Sequence, residues 1–234
     1  MKGRLLLLAW LTLSTSCYGG LQDGFAAYRA KDYDAALREL KPLAMQGNIK
    51  AQAMVGSMFA AGQGVGQNYT VALAWYRQAA NQGDTDSQVI VGALYAQGKG
   101  ASQNYPEAAK WYLKAAMQGN ATAQFNLGYL YQQGRGVPQD YPRAAKWFED
   151  AAELGNLDAM NYLAVASFTG QGVPLDRIKG YMYATIAGMA GDVKALQNQA
   201  QMGGELTPDQ RHAGSVAVRQ YLDSHPQLNL SPPQ

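Results

Sequence analysis

Gln133 to Tyr141 read QGRGVPQDY: two glycines around a cation, then an acid opening a helix-like run. Those residue types suit a loop whose backbone N–H groups cradle a phosphate. Such a loop needs a strand before it and a Lys-Ser or Lys-Thr pair after it, and neither is present. Arg135 is also replaced by Gln63, Lys99 and Gln171 in stretches of the same form, AGQGVGQNY, QGKGASQNY and TGQGVPLDR. No fixed charge is required there, so the stretch reads as a connector.

Other chemistry finds equally little footing. The two histidines are His212, on a terminal helix, and His225, in a proline-rich tail. No Cys, His or acid cluster has metal-ligand spacing. DTDSQVI, from Asp84, lacks the glycine that a calcium loop needs at its sixth position. No nucleophile elbow occurs, and no serine has a histidine motif nearby. No catalytic, cofactor-binding or metal-ligating residue is assigned, and the chain is read as non-enzymatic, with no cofactor.

The elements that carry these residues repeat with a period of 36 and no gaps over 49–84, 85–120, 121–156 and 157–192. The second and third copies are identical at 18 of 36 positions. The fourth is degenerate, with Tyr183 in place of a tryptophan and Ala164 in place of a glycine. Each copy has two helical periodicities. In the third, Ala123, Leu127, Leu130 and Tyr131 form one apolar stripe, and Ala144, Trp147, Phe148, Ala151 and Ala152 form another. Helices of 12–14 residues, roughly 20 Å long, are marginal alone and need stacked neighbours.

Glycines punctuate the pattern. Gly62, Gly98 and Gly134 follow the first helix, where a left-handed residue closes it best as glycine. Gly83, Gly119 and Gly155 do so after the second. Gly64, Gly100 and Gly136 are the second glycines of the connector. Gly56, Gly92 and Gly128 lie inside the first helix, where glycine costs about 1 kcal/mol relative to alanine, so close helix approach is expected there. Asp140, like Asn68, Asn104 and Asp176, precedes the second helix as an N-cap. Trp75, Trp111 and Trp147 are expected in the core, with Tyr76, Tyr112 and Phe148 partly exposed. The sequons at Asn68, Asn120 and Asn229 are read as chance matches.

This pattern, an LG…Y..G.G connector with D or N before A..WY.KAA..G, resembles Sel1-like repeats, relatives of tetratricopeptide repeats. The resemblance implies an all-α fold, a right-handed α-solenoid of stacked helix pairs used for protein–protein interaction. Some relatives are cysteine-rich β-lactam-binding proteins with a disulfide-forming cysteine pair in each unit, which are lacking here. An envelope enzyme or antibiotic-binding protein of that type, and a cell-wall glycan binder, are the alternatives.

The ends complete the organisation. Residues 1–19 resemble a secretory signal: Lys2 and Arg4, an apolar run from Leu5 to Leu13, then small residues. The expected cut after Gly19 sends the chain to the periplasm or outside the cell. Lipid attachment at Cys17 is the rival, disfavoured by Ser14 where a lipobox wants an aliphatic residue. Removing Lys2 and Arg4 from 19 basic residues leaves 17 against 17 acidic ones, which gives no pull toward nucleic acid. No later segment is apolar enough to span a membrane. Residues 20–48 and 193–223 read as capping helices, the latter including a capping box from Thr207 to Gln210. Residues 224–234 read as a disordered tail.

Positions that differ between copies are expected to mark where a protein or peptide partner binds, in the concave groove of the repeat array. On the first helix of each copy they fall at i, i+3 and i+7: Met54, Ser57 and Ala61, then Ile90, Ala93 and Gln97. Asn126, Tyr129 and Gln133 follow, then Tyr162, Val165 and Thr169, with Phe125 and Asn161 at the edge.

Overall fold

A computed structural model describes residues 20–230; the expected signal segment, residues 1–19, and the rival lipidation site Cys17 lie outside the described residues. Every long element among them is an α-helix. Helix α1 covers residues 20–29. It is followed by α2 Tyr33–Met45, α3 Ile49–Ala61, α4 Tyr69–Asn81, α5 Thr85–Gln97, α6 Tyr105–Ala116, α7 Ala121–Gln133, α8 Tyr141–Glu153, α9 Leu157–Thr169, α10 Arg177–Met189, α11 Val193–Glu205 and α12 Pro208–Ser224. The chain forms two compact units that meet in sequence between Trp111 and Tyr112, inside α6.

The connectors behave as the residue types require. Gly62, Gly98, Gly134 and Gly170 close α3, α5, α7 and α9 in the left-handed region. The side chains of Asn68, Asn104, Asp140 and Asp176 accept the first backbone N–H bonds of the next helix, at 2.9–3.1 Å. Asn48, Asp84, Asn120 and Asn156 cap the first helices in the same way. The loop is also tied by a residue whose part was not foreseen. Gln139 Nε2 donates to the Gln132 carbonyl at 2.9 Å and lies 3.1 Å from the Tyr141 hydroxyl. Gln67 and Gln103 repeat both contacts.

In the first unit, α2 and α3 enclose Leu40, Val55 and Met58, while α4 and α5 enclose Leu73, Tyr76, Val91 and Leu94 together with Trp111. In the second unit, Phe148, Met160, Leu163, Ile186, Met202 and Val218 form one core across α8 to α12. The aromatic assignment from sequence needs correction here. Trp75 and Trp147 are only half-buried, whereas Tyr76, Tyr112 and Phe148 are 6%, 4% and 2% exposed. Trp111 and Tyr183 are buried in the tryptophan slot, but the position just after it is buried in all four copies, ending with Ala184. The second-helix stripe therefore turns through Ala144, Ala145, Phe148, Ala151 and Ala152, about one residue from where the tryptophan suggests.

Phe148 explains the glycine inside α7. A Cβ on Gly128 would stand 2.9 Å from the Phe148 ring and 3.1 Å from the Ala144 carbonyl oxygen. Gly56 faces Tyr76 likewise. In the fourth copy α9 carries Ala164 instead, but not because the slot is loose. The partners have changed with it: Phe148 is matched by Ala184 and Ala144 by Gly180. A Cβ on Gly180 would lie 2.8 Å from the Ala164 carbonyl oxygen. The close approach persists, and the glycine has moved to the other helix.

Buried amides link successive helix pairs. Gln52 and Gln88 donate from Nε2 to the carbonyls of Ala44 and Ala80, each at 3.1 Å, and Gln124 donates to Ala116 at 3.4 Å. The fourth copy has buried Met160 in this slot, which has no donor. There the matching carbonyl, Ala152, accepts from the Tyr221 hydroxyl of α12 at 3.3 Å. Burial raises the Tyr221 phenol above its ordinary value, keeping it a donor. Tyr221→Phe is expected to lose about 1 kcal/mol, the worth of one neutral hydrogen bond. Adding Met160→Gln should restore most of that loss in a double-mutant cycle read by denaturant unfolding. Independent, additive effects would show that the two donors do not serve the same carbonyl.

The capping box of α12 forms between Thr207 and Gln210. Part of the tail expected to be disordered is instead docked. His225 stacks on Tyr221 with ring centroids 4.0 Å apart. Its Nε2 lies 2.8 Å from Glu153 Oε2, and its Nδ1 lies 2.8 Å from the Tyr221 carbonyl. Ser224 Oγ also lies 2.9 Å from Nδ1. Burial lowers the imidazole's pKa, but the bonds to Glu153 and to the Tyr221 carbonyl outweigh it and raise the group above its ordinary value. Pro226–Leu228 form a short 3-10 turn, and Leu228 and Leu230 pack on the core of this unit.

Candidate partner-binding faces

The variable stripe lines a hollow in each unit. In the first, Met54 and Ser57 of α3 and Ile90 of α5 share a depression of about 350 Å³ with Tyr28 and Tyr76. Lys50, Asp84 and Asp86 also line it, so this hollow carries both signs of charge. Tyr76 is bonded to Ser57, while burial, the dominant influence, pushes its phenol up. Ser87, 1% exposed, brings a hydroxyl with no hydrogen-bond partner. Ala93 is half-buried and Gln97 and Ala61 are exposed. None of the three lines this hollow.

In the second unit, Asn161, Tyr162 and Val165 of α9 line a smaller hollow of about 160 Å³. Its other walls are Ala144, Ala145 and Phe148 of α8, with Gln132 of α7 and Gln171 of the following loop. Tyr162 stacks on Phe148 at 5.0 Å between ring centroids and 18° between planes. Phe125 and Tyr129 pack against the Tyr162 ring at 5.7 and 6.0 Å. These two residues thus support the hollow without lining it. Asn126 is half-buried, and Gln133 and Thr169 are exposed, all outside it. Burial raises the Tyr162 phenol, with smaller contributions from Tyr129 and Asp158.

Several members of these hollows, among them Gln132, Tyr141, Ala145 and Ala166, lie outside the variable stripe. Gln132 and Tyr141 are contributed by neighbouring helices, and Ala145 and Ala166 matter through what they lack. In the first unit the matching positions are Leu73 and Leu94, both buried.

Among the described residues, no group of three or more His, Cys, Asp or Glu side chains is placed to hold a metal ion. No helix there is long and apolar enough to cross a membrane.

The Sel1 repeat model matches at 49–84, 85–120, 121–156 and 157–192. A crystal structure of a Sel1 repeat protein from Oxalobacter formigenes is similar, with a TM-score of 0.73 and 35% identity over 77% of this chain and 74% of that one. The crystal structure of c5321, a protective antigen present in uropathogenic Escherichia coli strains and displaying an SLR fold, gives a TM-score of 0.81 at 29% identity. That match covers 88% of this chain and only 45% of c5321. No curated protein matches the chain. The consecutive packed helix pairs share the all-α solenoid architecture of those structures. Sel1 repeat proteins are generally non-catalytic scaffolds for protein interaction. With four repeats in register over most of its length, the chain belongs to the Sel1 repeat family.

Proposed function

We propose that the protein is a non-catalytic adaptor of the bacterial cell envelope that holds a protein or peptide partner against the first-helix faces of its repeats. The observation that carries this reading is the coincidence of two patterns. Residues that vary between copies, Met54, Ser57 and Ile90 in one unit and Asn161, Tyr162 and Val165 in the other, line hollows. Residues that stay alike hold the helices together. Tyr and Met are suited to adaptable contact surfaces. The envelope assignment rests on the signal-like residues 1–19.

Site-specific photo-crosslinking in cells tests it. A photoreactive residue at Ile90 or Val165 should yield the same crosslinked partner, in the periplasmic fraction. The same residue at exposed Arg77 or Lys110 on the second helices should not. Equal crosslinking from all four positions, or none from Ile90 and Val165, would overturn the assignment of these faces.

A further inference from the structure

We propose that the hollow of the second unit is a specificity pocket for an uncharged peptide segment, taking one apolar side chain and the peptide group beside it. This deepens the adaptor reading and rests on it.

The pocket has been opened by residue choice. Its walls at Ala145 and Ala166 stand where the first unit has Leu73 and Leu94, which are buried and fill the corresponding space. Polarity changes at the same place: Gln132 and Asn161 stand where the first unit has Ala60 and Val89. Space and hydrogen-bonding groups have therefore been introduced together. A volume of about 160 Å³ is close to that of the roughly 150 Å³ apolar cavity known to hold benzene. It suits a leucine or phenylalanine side chain against the Phe148–Tyr162 stack.

The polar groups select what lies beside that side chain. Gln132 Oε1 is buried with no hydrogen-bond partner, an arrangement that is costly unless a donor arrives. Asn161 Oδ1 accepts from Asn198 Nδ2 of α11 at 2.8 Å. That bond fixes the Asn161 amide with its NH₂ free to donate. One acceptor on α7 and one donor on α9 match the single N–H and single C=O of a peptide group. No charged side chain lines the pocket, so an ionic ligand would lose water without a counter-charge.

The test uses the full mature chain, ¹⁵N-labelled, and N-acetyl-leucine-methylamide as probe. Saturable shifts are expected at the Asn161 and Gln132 side-chain NH₂ resonances. N-acetyl-glutamate-methylamide should bind at least tenfold more weakly. Ala145→Leu with Ala166→Leu, which restores the first unit's side chains, should abolish the shifts while leaving the remaining spectrum folded. Gln132→Met should weaken binding about tenfold. Absence of saturable shifts, equal binding to the filled variant, or tighter binding of N,N′-diacetylchitobiose than of the leucine probe would each overturn the proposal. A partner crosslinked at Val165 with no probe binding would defeat this pocket and leave the adaptor standing. Probe binding with no crosslinked partner would defeat the adaptor instead.

Discussion

Gly172→Ala should destabilise the protein by about 2–5 kcal/mol, far more than its loop position suggests. Two costs add. Gly172 has φ +78°, where an L-residue costs about 1–2 kcal/mol. Its Cβ would also lie 2.5 Å from the carbonyl carbon and oxygen of Tyr141, the first residue of α8. That obstacle is backbone at a helix start and cannot swing away, so overpacking adds about 1–3 kcal/mol. Gly64 makes the same approach to Tyr33 at the start of α2. Gly119→Ala separates the two costs, because Gly119 has φ +80° with nothing within 4 Å of its Cβ. Gly66→Ala meets no atom and needs no left-handed backbone, and should be near neutral. Thermal melts of the three variants should rank Gly172, Gly119, Gly66 from most to least damaging. Equal losses at Gly172 and Gly119 would show that the connector does not bear on α8.

Phe148→Ala should cost about 3–5 kcal/mol, as large-to-small substitution of a buried aromatic does. Trp147→Ala, although it deletes the larger ring, should cost only about 1–2 kcal/mol, scaled to the area it hides. Phe148 is 2% exposed, supports the Tyr162 ring and fills the space left by Gly128. Trp147 is half-buried beside it. Urea unfolding of the two variants compares them directly, and a larger loss at Trp147 would reverse the assignment of the inward face. Phe148→Ala also removes one wall of the second unit's pocket, whereas Trp147 does not line it.

The difference between these neighbours shows what sequence reasoning reaches. The 36-residue period, the helix pairs, the caps at Asp140 and its counterparts and the capping box at Thr207 all depend on local physics repeated several times, so each copy tests the others. Which of two adjacent aromatics turns inward is settled by a rotation of about 100° along the helix. Alanines flank both choices, and ring size favoured the wrong one. Gln52, Gln88 and Gln124 were hidden for a different reason. A polar residue in an apolar slot reads as solvent-facing unless the carbonyl it serves, eight residues earlier across a turn, is in view. The variable stripe named three residues on each hollow. It missed Gln132 and the space left by Ala145 and Ala166, because a pocket is made as much by small side chains as by large ones.

The migrating glycine sets the grain at which this array can be rearranged. Gly128 on α7 works with Phe148 and Ala144 on α8, whereas Ala164 on α9 works with Ala184 and Gly180 on α10. Grafting α7's sequence onto α9 would put glycine opposite glycine and leave a gap. Grafting α9's onto α7 would press a methyl group into the Phe148 ring. The interchangeable part is thus the helix pair and never the single helix. Recombination that cuts inside a repeat breaks this match, while cuts at the caps Asn120 and Asn156 carry each matched pair across whole.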